Sequence, residues 1–179
     1  MENIKEEYKI VENFIDKDYS RMLAEYFINN MQEEDRELYG TIPLGGNHEF
    51  FENDKMVFDF DKEGKILEVA KFAKKFFLEN YLISGNLTLS RAHANLMLTG
   101  ASLGAHKDDP KVQTHVCGIY LNDDYDGGEL LFPTLKAEVK PKSGSLLFFR
   151  GDQNSHGVKK IESGVRCNVL LYFVESSNN

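Results

Sequence analysis

The chain has no tryptophan, only two cysteines and only four prolines in 179 residues, and it lacks any excess of basic side chains. No stretch approaches the roughly 18 consecutive apolar residues that a membrane span needs. The first residues, MENIKEEYKIVENF, carry no apolar core of a secretory signal. The expectation is a protein that stays where it is made, in the cytoplasm, with no membrane partner. Cys117 and Cys167 lie 50 residues apart without a CxxC pair or a cluster of further Cys and His. That excludes a disulfide scaffold and a zinc ribbon and leaves two buried thiols in a reducing compartment. Lys and Arg number 21 against 29 Asp and Glu, a net charge of -8. Phosphate backbones are held by clustered basic residues, so no nucleic-acid partner is expected. Oligomeric state is left open.

What is present is an apolar fraction of 41% with 13 Phe and 8 Tyr, enough for a packed interior and too much for a disordered chain. The length fits one domain, residues 1–179, with one core. Between Asp16 and Gln32 the residues Tyr19, Met22, Leu23, Tyr26, Phe27 and Met31 recur at steps of three and four, which predicts an amphipathic helix capped by Asp16 or Asp18. From Lys62 to Tyr81 the stripe Ile66, Val69, Phe72, Ala73, Phe76 and Phe77 predicts another. Between them Gly40 to Asp54 is polar and rich in Gly, and reads as a long loop carrying His48, Phe50 and Phe51. A lone histidine there reads as a solvated surface residue.

After Ser84 the texture changes to short apolar or alternating runs broken by turn residues. Strands are expected at Leu87 to Leu98, Gln113 to Leu121, Glu129 to Phe132, Lys136 to Pro141, Ser145 to Phe149, His156 to Lys159 and Arg166 to Val174. Helices followed by seven such strands predict an α+β domain, with residues 1–84 as helical support and 85–175 as a jelly-roll core. The Gly127–Gly128 pair reads as a tight turn where backbone with positive φ is needed.

In GAHKDDP an extended backbone projects His106 and Asp108 to one face, where an imidazole and a carboxylate reach one ion. His156, in DQNSHGV, is the plausible third ligand. Two His and one carboxylate form the facial triad of non-haem iron(II) oxygenases, which leaves coordination positions open for a co-substrate and O2. Such spacings arise by chance in a chain this acidic. Arg166 strengthens the signal: it heads the otherwise apolar run GVRCNVLLYF, and a buried guanidinium calls for an anion, best a carboxylate.

The stretch Gly100 to Val174, with GAHKDDP, YLNDDYDGGELLFP, VKPKSGSLLFF and HGV followed by Arg166, resembles the prolyl-hydroxylase branch of the 2-oxoglutarate and iron(II)-dependent dioxygenases. The branch includes collagen-type and hypoxia-inducible-factor prolyl hydroxylases. The resemblance implies a double-stranded β-helix with the N-terminal helices packed on its larger sheet, and Fe(II) held by His106, Asp108 and His156. It also implies 2-oxoglutarate anchored through its distal carboxylate by Arg166, O2 as the other co-substrate, and ascorbate to keep the iron reduced. The implied reaction hydroxylates a prolyl residue of a peptide or protein and releases succinate and CO2. A free amino acid, another side chain or a small metabolite is the alternative substrate, and a jelly-roll binding module without turnover is the non-enzyme alternative.

Tyr120, in GIYLND, matches a tyrosine that donates to the same carboxylate in hypoxia-type relatives, though it also reads as a sheet aromatic. Where collagen-type relatives carry a tyrosine nine residues before the HxD histidine this chain has Met97, which cannot hydrogen-bond a carboxylate. His93 and Asn95 share the face of Met97 on a regular strand, and Asn168 that of Arg166. Each reads either as a pocket residue or as a satisfied core polar group. His115 falls off the inward parity set by Tyr120 and is not expected to be a ligand. The loop 40–54 reads either as a lid over the substrate or as a connector.

Overall fold

The computed structural model describes residues 8–31, 39–45, 61, 63–83 and 85–176. Helix α1 spans Lys17–Asn30 and starts where expected, with Asp16 Oδ1 accepting from the N–H groups of Asp18 (2.9 Å) and Tyr19 (3.2 Å). It buries Leu23, Ala24 and Phe27. Helix α2 spans Lys65–Asn80 and buries Ile66, Val69, Ala70, Ala73 and Phe77. Its first turn is capped from a distance by Asp61, whose two oxygens accept from Lys65 N and Ile66 N, both at 2.8 Å. Tyr19 Oη donates to the same carboxylate at 2.7 Å, so one buried acid ties the two helices together. Neither helix is long and apolar enough to cross a membrane.

The strands are β1 (Lys9–Val11), β2 (Tyr39–Gly45), β3 (Asn86–Leu98), β4 (Leu103–His106), β5 (His115–Tyr120), β6 (Asp126–Gly127), β7 (Leu130–Phe132), β8 (Ala137–Val139), β9 (Leu146–Arg150), β10 (His156–Val158), β11 (Ile161–Ser163) and β12 (Val165–Ser176). A six-stranded sheet has the order β1-β9-β5-β12-β3-β2, a four-stranded sheet the order β4-β10-β7-β8, and β11 pairs β6. All these pairings are antiparallel. This is the expected α+β jelly roll.

Strand periodicity makes the large sheet a partition. On β9, Leu146 and Phe148 join a core with the two helices, where the Phe148 ring stacks on Phe76 at 4.2 Å. Leu147 and Phe149 point the other way, into a second cluster with Met97, Tyr120 and Phe132. One face of the sheet therefore anchors the helices, and the opposite face looks onto the smaller sheet.

Three expectations change here. Residues 40–45 are not the start of a loop: they lie within β2, which pairs along β3 from Met97 to Ala92. Pro43 is tolerated because β2 is the outermost strand, where a missing N–H breaks no inner ladder. Residues 46–54, with His48, Phe50 and Phe51, lie outside the described residues. The Gly127–Gly128 pair does take positive φ (71° and 68°), but not to close a hairpin, since β6 pairs with β11 instead of β7. A side chain at Gly127 would run into the Lys160 carbonyl, so close backbone approach also demands glycine. The residues before 85 supply strands β1 and β2 as well as helices.

Candidate active site

Two strands of the smaller sheet set the histidines. β4 ends on His106 and β10 begins on His156, and these residues are direct cross-strand partners with ring centroids 4.5 Å apart. Asp108 N donates to Gly151 O at 2.9 Å as the chain leaves β4, and the Asp108 side chain is only 4% exposed. His106 Nε2 lies 3.8 Å and His156 Nε2 3.9 Å from Asp108 Oδ1. One donor atom from each residue lies within 4.8 Å of the others.

The backs of both rings are fixed. His106 Nδ1 is 2.9 Å from Gly104 O, and His156 Nδ1 is 3.0 Å from Asn154 O. A carbonyl only accepts, so each Nδ1 carries the proton and each Nε2 offers its lone pair inward. Burial lowers the pKa of His156 and keeps that ring neutral, the form that binds a metal. Asp108 Oδ2 is buried without a hydrogen-bond partner, a costly state for a carboxylate unless a cation completes it. Gly151 makes room for it, since any side chain there would run into this oxygen. Two imidazoles and one carboxylate are the donor set of a non-haem Fe(II) site, and these residues fit it.

The trio opens onto a cavity of about 220 Å³ between the sheets. Along β12, Arg166, Asn168, Leu170 and Tyr172 alternate onto it. Asp108 lies near the Tyr172 end: Tyr172 pairs with Val116, and Val116 and Asp108 both border Gly151. Arg166 occupies the far end and is 3% exposed. Its Nη1 donates to Asn168 Oδ1 at 3.1 Å and weakly to Met97 Sδ at 3.8 Å, and its Nη2 donates to Tyr120 Oη at 3.1 Å. Among the described residues no carboxylate pairs with this guanidinium. Arg166 Nε, Asn168 Nδ2 and Tyr125 Oη are all buried without a hydrogen-bond partner. A buried cation with an unused donor of its own, and with the Asn168 amide and the Tyr125 hydroxyl beside it, describes a site for an anion.

Of the residues singled out in the sequence, Tyr120, Asn95, Met97 and Asn168 line the cavity. Met97 acts as a weak acceptor toward Arg166. His93 is buried outside the cavity lining, stacked on Tyr172 at 5.3 Å, and burial followed by the charge of Arg91 lowers its pKa to about 4. His115 faces the helices, edge-on to Phe77 and Tyr81, with its pKa lowered to about 4, mainly by burial. Sequence reasoning missed Tyr125. It sits in the acidic turn DDYDGG, yet it is 3% exposed, and Gly128 is the residue that leaves it space. Burial pushes its phenol up to about 12, so it remains a donor. An aromatic inside an otherwise charged turn was the available signal. Gly118, also missed, leaves bare floor between Tyr120 and Leu170.

Residues 92–174 match the family model described as the 2OG-Fe(II) oxygenase superfamily. Prolyl 3-hydroxylase 2 of Mus musculus is 46% identical over an alignment of 61 residues that covers 31% of this chain and 9% of that protein. Prolyl 3-hydroxylase 1 of Rattus norvegicus is 37% identical over 87 residues, 44% of this chain and 12% of that protein. The chain thus spans a small part of the length of these relatives. Among solved structures, the viral collagen prolyl hydroxylase of Paramecium Bursaria Chlorella virus-1, in complex with 2OG, superposes with a TM-score of 0.69 at 16% identity, over 95% of this chain and 96% of that one. A Pseudomonas putida prolyl-4-hydroxylase gives 0.66 at 17% identity, over 97% and 95%. At such identities the likeness is one of fold.

Proposed function

We propose that this chain, whose residues 92–174 match the 2OG-Fe(II) oxygenase superfamily, is a dioxygenase that hydroxylates a prolyl residue of a peptide or protein. One observation carries the reading. A single cavity has a His106–Asp108–His156 donor set at one end and, at the other, a buried Arg166 with no acid partner among the described residues. A dicarboxylate that must reach both a metal and a cation fits that separation. The prolyl substrate is supported by the prolyl hydroxylases among the relatives.

Fe(II), with O2 and 2-oxoglutarate bound, would supply the oxidative chemistry: 2-oxoglutarate would lose CO2 and take one oxygen atom of O2 as succinate, and the other would convert a substrate C–H into C–OH. The chain's residues bind and orient. His106 and His156 present their Nε2 atoms inward because backbone carbonyls hold their Nδ1 atoms. Asp108 contributes the carboxylate, and Gly151 keeps its place clear. Arg166 receives the distal carboxylate of 2-oxoglutarate. Because Arg166 Nη2 donates to Tyr120 Oη, the Tyr120 proton is free to be donated onward to that anion. Asn168 Nδ2 is a further donor within the same wall, and Tyr125 stands beside Arg166. Leu147, Phe149 and Leu170 give the space between an apolar lining.

The test is to supply Fe(II), ascorbate and 2-oxoglutarate, measure succinate, and search proline-containing peptides by mass spectrometry for one added oxygen, with free L-proline as a parallel arm. Proline-dependent oxygen incorporation is expected in peptides. Fragment ions and authentic standards then separate 3- from 4-hydroxyproline. Succinate formed with oxygen added only to free amino acids, or to a side chain other than proline, would overturn the prolyl-peptide reading while keeping the oxygenase.

A further inference from the structure

The cavity holds a second cation, at the opposite end from Arg166. Arg91 lies on β3 at the same parity as Asn95 and Met97 and, like them, borders the cavity. Its guanidinium sits over the Tyr172 ring at 4.4 Å, and its Nη2 donates to Gln113 Oε1 at 3.0 Å. Arg91 and Tyr172 are cross-strand partners, and Tyr172 also stacks with His93. An aromatic face, a neutral amide and a strand register therefore hold this side chain in place without removing its charge.

How the described arginines are partnered separates two kinds. Arg21 pairs with Asp18, and Arg150 pairs with Asp152 and Glu175. Arg166 and Arg91, the two that border the cavity, have no carboxylate partner among the described residues. In a chain with 29 acids against 21 basic residues, unpaired cations at both ends of one pocket single out that pocket. Arg166 answers to the co-substrate. Arg91, beyond the metal trio and more exposed, faces the space that remains for the primary substrate.

We propose that Arg91 is the specificity-determining residue of this site, and that it receives a carboxylate of the primary substrate. The substrate is then an acidic peptide, with an Asp or Glu side chain or a chain-terminal carboxylate close to the residue that is hydroxylated. The inference rests on the oxygenase reading above, but not on proline being the target. Arg91 offers two forked N–H donors beyond the one committed to Gln113, the geometry that a carboxylate matches and a lone carbonyl does not. The net charge of -8 repels acidic peptides at a distance. A fixed cation at the rim offsets that repulsion only where a carboxylate docks beside it.

The test uses the full chain with Mn(II) and 2-oxoglutarate, incubated with a degenerate peptide library, half of its members containing proline, and sequences the peptides retained. The Fe(II) enzyme is then assayed on the enriched peptides. Enrichment of Asp and Glu is expected, with kcat/KM roughly fivefold or more above matched Asn and Gln peptides. C-terminal amidation separates a chain-end carboxylate from a side-chain one. Arg91→Gln should bring the acidic-to-neutral ratio near one, Arg91→Lys should restore part of it, and Arg91→Glu should turn the preference toward Lys-containing peptides. Retention without preference for acids, or a ratio that Arg91→Gln and Arg91→Glu leave in place, would overturn the assignment. Proline content is read separately. Acid-selected peptides oxidised elsewhere would end the prolyl reading alone, and proline oxidation without acid preference would end this one alone.

Discussion

His106 and His156 are opposite one another in the β4–β10 ladder, so a single strand register sets both imidazoles. A one-residue slip would turn one of them away from Asp108. Gly157 supports this register, because a side chain there would meet the Leu103 carbonyl and the Ala105 backbone of β4. Gly157→Ala should therefore weaken Fe(II) binding by at least tenfold, more than its effect on global stability implies. Titration with Fe(II) under anaerobic conditions, set beside a denaturant melt, checks it. Equal losses in both would mean that the strand pair as a whole is damaged.

Asp108 bears on the metal-free protein. Its Oδ2 is buried and unpartnered, so Asp108→Asn should raise the melting temperature of the iron-free chain, by an amount corresponding to about 1 kcal/mol or more. It should also abolish the further rise that Fe(II) gives the parent. His106→Ala and His156→Ala should lose the same Fe(II)-induced rise. Calorimetry with and without Fe(II) reads both effects, and an Asn variant still stabilised by iron would remove Asp108 from the ligand set.

Arg166→Ala should leave iron affinity nearly intact and weaken 2-oxoglutarate at least tenfold. A hydrogen bond to a charged group contributes about 1.5–3 kcal/mol, and ~1.4 kcal/mol is a factor of ten. Arg166→Lys should recover part of the loss, because charge remains while the planar fork is lost. Tyr120→Phe should cost less than Arg166→Ala. Equilibrium binding of 2-oxoglutarate to the Mn(II)-loaded chain tests all three, and an Arg166→Ala chain that binds it like the parent would refute the anchor.

Acid should destabilise the fold in a defined window. His93 and His115 have pKa values lowered to about 4 by burial, whereas in the unfolded chain each titrates near ~6.5. Between these values the unfolded chain binds more protons, so stability is level above about 6.5 and declines as the pH falls toward 4. Arg91 lowers the pKa of His93 and Arg150 that of His115, while Asp152 and Glu175 raise that of His115. His115→Phe, which keeps a ring against Phe77 and Tyr81, should flatten part of this slope. Urea melts of the iron-free chain from pH 4 to 8 measure it, and an unchanged slope would show that His115 is already charged in the native state.

The helices were legible because Asp16 and the Leu23–Phe27 and Ile66–Phe77 stripes are local patterns. The triad was legible because its spacing follows from one ladder and the turn after it. β1 was not, since Lys9–Val11 is three residues long and becomes a strand only by pairing with Phe148 to Leu146, far along the chain. β2 hid behind Gly40, Pro43 and Gly45, residues that an edge strand admits and a central one does not. Tyr125 and Arg91 were hidden for a different reason. What matters about each is the lack or kind of a partner brought close by tertiary packing, and a linear pattern contains no record of that.

The alternation on β9 and β12 also has a meaning for variation. Leu146, Phe148, Val169 and Leu171 hold the helices, while Leu147, Phe149, Leu170 and Tyr172 shape the cavity. Neighbouring residues on one strand thus answer to separate demands, durability on one face and selectivity on the other. Substrate range can drift, or be redesigned, by exchanging every second residue while the rest keep the scaffold standing.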